Sequence, residues 1–182
     1  MKSDQNSEHI MFKELILYIA NRLALHPKFG ATKLNKILFY SDFIAYAKLG
    51  KSITGEKYQK LPKGPAPKYL VPVRNEMDSK DIIYYPKETL SGIQHRIAPK
   101  RSADLRKFTP EQISIVDQVI DLLKDKDTEE VSELSHFFIG WKIVKEGEEI
   151  PYETVFLRDP KDIQVTQTDR EIAQKIIQRN GL

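Results

Sequence analysis

The sequence predicts an α+β fold that is predominantly α, a helical bundle core carrying a small antiparallel β-hairpin. Apolar residues recur at three- and four-residue spacing along most of the chain. Helix start and stop residues bracket those stretches. The period changes only between Asp81 and Pro99, where IIYYP and IQHRIAP are short β-prone runs. With 182 residues and 40% hydrophobic content, the chain is expected to form one domain over 1–182, its core at about 8–157.

The first helix is expected from Glu8 to Leu25, where Met11, Phe12, Leu15, Ile16, Ile19, Leu23 and Leu25 share a side and Pro27 and Gly30 end it. Thr32 is placed to cap a second helix in which Leu34, Ile37, Leu38, Ser41, Ile44 and Ala45 form one buried face, with Gly50 at the left-handed stop. The short HPKFGA connection makes these two helices neighbours. A lysine-, tyrosine- and proline-rich track follows, which Gly64, Pro65 and Pro67 hold stiff and non-helical.

Tyr69–Met77 reads as a weaker helix with Pro72 in its first turn. KETLSG then connects the two hairpin strands, and KRSADLRK reads as a solvated basic connector. Thr109, Pro110 and Gln112 form a strong helix start ahead of Ile113, Val116, Val119, Ile120 and Leu123. Thr128 begins a further helix, TEEVSELSHFFIGWK, with acids in its first turn. Gly147, Pro151 and Tyr152 mark a turn into the β-prone run TVFL, and Thr168 with Glu171 caps a C-terminal helix over 168–180.

Composition narrows the function classes. There are 29 basic and 26 acidic residues, a net charge of only +3, so attraction to nucleic acid has to be local. The chain has no cysteine, which removes disulfides, thiolate zinc sites and cysteine nucleophiles and agrees with a reducing cytosol. The polar start MKSDQNSEHI is no secretory signal, and no apolar run is long enough to cross a bilayer. A cytoplasmic protein without membrane contact is expected.

Catalytic chemistry is not legible. His9, His26, His95 and His136 lie on separate elements without the i, i+4 pairing of a helical zinc site, so no metal and no cofactor is expected. Ser135 precedes His136, but neighbours on a helix point about a hundred degrees apart, and no GxSxG elbow surrounds any serine. No glycine loop for a nucleotide is present, and the prolines of KGPAP lack the N–H donors such a loop needs. Interleaved Tyr58, Lys60, Lys63, Lys68 and Tyr69 suit either a backbone-tracking nucleic-acid groove or a protein interface. His136 and Trp141, the only tryptophan, lie close enough in sequence to meet near one surface, although a structural histidine and a core tryptophan are the plainer readings.

Three blocks in order, KLNKILFYSDFIAYAKLGKSITG, KLPKGPAP and LSHFFIGWK followed by GEEIPYE, resemble the Panacea domain of the SocA-like antitoxins and phage-associated GepA-like proteins. Lys33, Leu34, Lys36 and Tyr40 match the family's Lys-Leu-x-Lys helix, Gly64 and Pro65 its Gly-Pro step, and Leu134, Ser135, His136, Trp141, Ile150, Pro151 and Tyr152 its later block. The likeness runs from Phe12 to Tyr152, with a departure at Leu61, before Pro62, where relatives often carry an aromatic ring. The resemblance implies a non-enzymatic module that binds and neutralises a cognate toxin protein or delivers it to a protease. The stiff lysine, tyrosine and proline loop suits such a role, and the partner surface is expected at Tyr58, Lys60, Lys63, Pro65 and Tyr69, with His136 and Trp141 in support. Operator DNA binding, which some relatives perform through an added N-terminal segment, is not carried over.

Overall fold

A computed structural model describes residues 9–89 and 92–158 together with Gln167, Glu171 and Gln174. The fold is α+β and predominantly α, as the spacing of apolar residues predicts. Helix α1 spans Ile10–Leu23 and α2 spans Ala31–Leu49. Two short strands, β1 Tyr58–Gln59 and β2 Ala66–Pro67, pair antiparallel and bracket the Gly-Pro loop. Helix α3 covers Leu70–Met77, and the hairpin β3 Ile82–Thr89 and β4 Gly92–Pro99 follows. Helices α4 Pro110–Leu123, α5 Thr128–His136 and α6 Ile139–Ile143 precede a 3₁₀ turn at Tyr152–Phe156. The helix expected over 168–180 lies outside the described residues except for Glu171 and Gln174.

Helix α2 is the axis of the bundle. It packs against α1, α4, α5, β2, β4 and the final 3₁₀ turn, so it is buried on more than the single face its spacing suggests. Leu34, Ile37, Leu38 and Phe39 have no exposed surface. Phe39 and Phe43 stack at 4.4 Å and meet Tyr58 and Phe138 edge-on at 5.2–5.6 Å. Aromatic pairs in such arrangements add roughly 0.5–1.5 kcal/mol each beyond the area they bury.

Packing overrides several local signals. Gly30, not Thr32, occupies the N-cap of α2, where a Cβ would stand 2.8 Å from Gln94 Cγ of the hairpin. The segment TEEVSELSHFFIGWK is two helices and not one. Phe138 is extended between them (φ −64°, ψ 123°), which carries its ring onto Phe39 and Phe43. Asp127, not Thr128, caps α5, in a reciprocal box with Glu130. TVFL forms no strand: Thr154 Oγ1 and N both bond Pro151 O and tighten the chain into the 3₁₀ turn. KETLSG is largely strand, since the ladder continues to Thr89↔Gly92.

The basic connector is also more ordered than its composition suggests. Arg101 donates to both carboxylate oxygens of Glu14 at 2.8 and 3.0 Å and to Asp81 at 2.6 Å, tying the end of the hairpin to α1. The capping box at Thr109 and Gln112 forms as its sequence dictates.

Two successive outward positions of β3 offer no free amide. Tyr84 N donates to Asp78 Oδ1 at 3.1 Å, and Pro86, the next residue facing that way, has no N–H to offer.

Truncating Phe39 to alanine removes the ring that bridges α2, the loop at Tyr58 and Phe138. A loss of about 3–5 kcal/mol in folding stability is expected, read as a lower urea midpoint with an unchanged m-value.

Candidate partner-binding site

The three sequence blocks converge on one loop. Asp42, fully buried on α2, accepts hydrogen bonds from Ile53 N at 2.8 Å, Thr54 N at 2.9 Å, Thr54 Oγ1 at 2.5 Å and Tyr58 OH at 2.6 Å. Burial pushes the Asp42 carboxyl above its ordinary range, and the hydroxyl and backbone donors pull the other way. Four donors on one carboxylate pin residues 53–58 to the helix. Gly147 and the residues after it then lie along β1: Ile150 N donates to Tyr58 O at 2.8 Å, Lys60 N to Glu148 O at 3.0 Å, and Gly147 N to Lys60 O at 2.9 Å.

The two lysines of the Lys-Leu-x-Lys helix are both buried. Lys33 Nζ donates at 2.6 Å to Lys124 O at the carboxyl end of α4, where unsatisfied carbonyls and the helix dipole favour a cation. Lys36 Nζ donates to Pro65 O at 2.9 Å and so holds the Gly-Pro step onto α2. Burial is the leading cause that lowers the Lys33 ammonium to about 8, with the neighbouring Lys28 adding to it, and it alone brings Lys36 to about 7.

Gly64 explains the glycine of the Gly-Pro step. Its φ is +90°, and an added Cβ would fall 2.1 Å from Ser135 Oγ and 2.7 Å from Lys36 Nζ. Lys36, Gly64 and Ser135 therefore meet at one point, so one residue from each block closes the same contact. Ser135 Oγ donates to Ser132 O at 2.6 Å, and Ser135 has no exposed surface. That hydroxyl faces packed backbone and not an open cavity.

The expected site residues divide by depth. Tyr58 is 1% exposed and Pro65 is buried, so neither ring faces outward; Tyr58 braces the loop from beneath and Pro65 serves through its carbonyl. Lys63 is exposed at the loop tip and Tyr69 is 40% exposed. Trp141 is half-buried, donates from Nε1 to Leu61 O at 3.1 Å, and lies between His136, stacked at 4.2 Å, and Lys60, whose Nζ stands 4.3 Å from the ring centroid. Lys60 Nζ also donates to Val144 O at 2.9 Å. These residues come together, but Tyr69 stands apart from the His136–Trp141 stack, against His9 at 5.4 Å.

Sequence reading passed over Asp42, although an acid inside the run FYSDFIAY is the mark of a paired buried carboxylate. No group of three His, Cys, Asp or Glu side chains capable of holding a metal occurs among the described residues, and no described helix is long and apolar enough to cross a membrane.

Replacing Gly64 by alanine is expected to cost on the order of 2–4 kcal/mol, through strain at positive φ and the collision with Ser135 and Lys36. The measure is urea denaturation followed by loop fluorescence from Trp141. A second expectation concerns pH. Unfolded, Lys36 keeps its proton to about 10.5, whereas in the fold it is released near 7. Between those limits the unfolded chain binds more protons, so stability rises with pH from about 7 to about 10.5, is lost as pH falls back across that window, and levels off below about 7 where both states are protonated. A gain on the order of 1–2 kcal/mol between pH 7 and pH 9 is expected, with Lys33 acting in the same direction, and Lys36→Met should flatten that rise.

Comparison with known proteins agrees with the three-block geometry. Residues 34–142 match the family model described as antitoxin SocA-like, Panacea domain, which covers more than half of the chain. No curated protein and no solved structure matches. The matched span begins one residue after Lys33 and ends one residue after Trp141, so it contains Lys36, Asp42, Gly64, Ser135 and Trp141, the residues that fix the loop. The chain belongs to the family of SocA-like antitoxin Panacea domains.

Proposed function

We propose that this chain is an antitoxin-like module of a bacterial or prophage toxin–antitoxin system, working in the cytoplasm by stoichiometric binding of a cognate toxin and catalysing no reaction. The observation that carries the reading is the rigid loop of residues 57–69. It is held from below by Asp42, Lys36 and Trp141 and leaves Lys63, Lys68 and Tyr69 exposed at its surface. A preformed loop gives up little conformational freedom on docking, and a partly exposed tyrosine beside lysines is a common anchor composition for protein interfaces. Delivery of the bound toxin to a protease would use the same surface. On this reading residues 1–182 act as one domain.

Nucleic-acid binding is the rival reading, and it needs exposed rings on which bases can stack. The burial of Tyr58 leaves Tyr69 as the one exposed tyrosine of the 57–69 loop. A protein partner is therefore favoured.

The test is co-expression. A neighbouring open reading frame that is toxic alone should become harmless when expressed with this chain, and the two products should co-purify. Lys63→Glu combined with Tyr69→Ala should weaken that complex about tenfold or more without moving the urea midpoint. Unchanged toxicity on co-expression, or salt-sensitive binding to oligonucleotides with no co-purifying protein, would displace the reading.

A further inference from the structure

Beside Tyr69 the surface opens into a cleft of about 500 Å³ between α1, the loop 54–57 and α3. His9, Glu56, Tyr69 and Glu76 supply its polar and aromatic walls, and Pro72 and Val73 its apolar one. Thr54, which anchors the loop to Asp42, borders it, while Glu56, Tyr69 and Glu76 make no hydrogen bond to Asp42 or Lys36.

Its floor carries a carboxylate without a full complement of donors. The Glu56 side chain is 3% exposed; Oε1 accepts from Lys57 N at 3.1 Å, and Oε2 accepts no hydrogen bond. His9 Nδ1 stands 3.1 Å from Oε2 but out of line for one. A buried carboxylate is expensive unless paired, and burial accordingly raises the Glu56 carboxyl above its ordinary range, against the pull of Lys57 N and His9. The nearby buried Asp42 adds negative charge and pushes the same way.

The surrounding cations leave room for another. Lys57 Nζ is turned to Glu149 at 3.2 Å, and Lys13 Nζ pairs with Glu76 at 2.9 Å, leaving Glu56 to His9 alone. The Glu76 side chain is 46% exposed and so within reach of an incoming group. Tyr69 and His9 lie 5.4 Å apart at 39°, which leaves the 40% exposed Tyr69 available for stacking. Over Gly55 (φ +71°) there is open space, with no atom within 4 Å of where a Cβ would lie.

We propose that this cleft receives the guanidinium of an arginine side chain on the bound protein, with its plane on Tyr69 and its N–H groups toward Glu56 and Glu76. The proposal rests on the reading of the chain as a protein-binding module and adds the chemistry of the partner's anchor. A planar, delocalised cation suits an aromatic wall next to carboxylates better than an ammonium does, because it can stack and donate at once. His9 is the group it would move aside.

The test uses the full chain, ¹⁵N-labelled, titrated with N-acetyl-L-arginine amide and with the citrulline amide, the same shape without the charge. The expected result is saturable shifts at Thr54–Lys57 and Tyr69–Glu76 with the arginine probe, and at least about fivefold weaker binding of the citrulline probe. Glu56→Gln should weaken arginine binding about tenfold, and the more exposed Tyr69→Ala and Glu76→Gln about threefold each. Equal binding of the two probes, shifts elsewhere, or no change in the two exposed variants overturns the proposal. If arginine binding fails while toxicity is still neutralised on co-expression, the cleft is wrong and the partner reading stands. Specific arginine binding by a chain that neutralises nothing overturns the partner reading and leaves the cleft's chemistry in place.

Discussion

The loop depends on a carboxyl group that has been removed from water and satisfied entirely by the chain around it. Asp42 is the clearest instance: four donors from residues 53, 54 and 58 meet one carboxylate on the central helix. Losing any one of these donors leaves a buried polar atom with neither water nor protein to satisfy it, which costs more than the net worth of the hydrogen bond itself. The 53–57 segment has no regular structure of its own. Its conformation is borrowed from α2, and the residues after it inherit that placement.

Lys33 and Lys36 extend the same logic with the opposite sign. Each places a buried Nζ on a backbone carbonyl of another segment, Lys124 O for one and Pro65 O for the other. The central helix thus carries two donors and one acceptor that reach outward to three different parts of the chain. Apolar packing sets how the bundle closes, and these polar contacts set which loop conformation it closes with. That division of labour accounts for charged residues buried on the central helix of the fold.

Much of the architecture was legible because local signals and packing agree. The stop at Gly50, the capping box at Thr109 and the change of period at the hairpin all appear where the residues put them. Legibility failed where a distant contact decides. Phe138 breaks the α5–α6 segment because Phe39 and Phe43 lie a hundred residues earlier, and Gly30, which caps α2, lies under Gln94. The exposure of Lys63 and Tyr69 on the loop agrees with their place in the sequence. Tyr58 was read as a contact because an aromatic among lysines looks exposed in sequence, while its hydroxyl is committed to Asp42. The convergence of Lys36, Gly64 and Ser135 follows from chain topology, which no spacing rule encodes.

The two blocked positions of β3 bear on how such a molecule survives in a crowded cell. A two-stranded ribbon that stands out from a helical body is a natural seed for copies to line up into fibrils. With Asp78 occupying the amide of Tyr84 and a proline two positions on, a second ribbon finds little to grip. Self-association through that flank is discouraged.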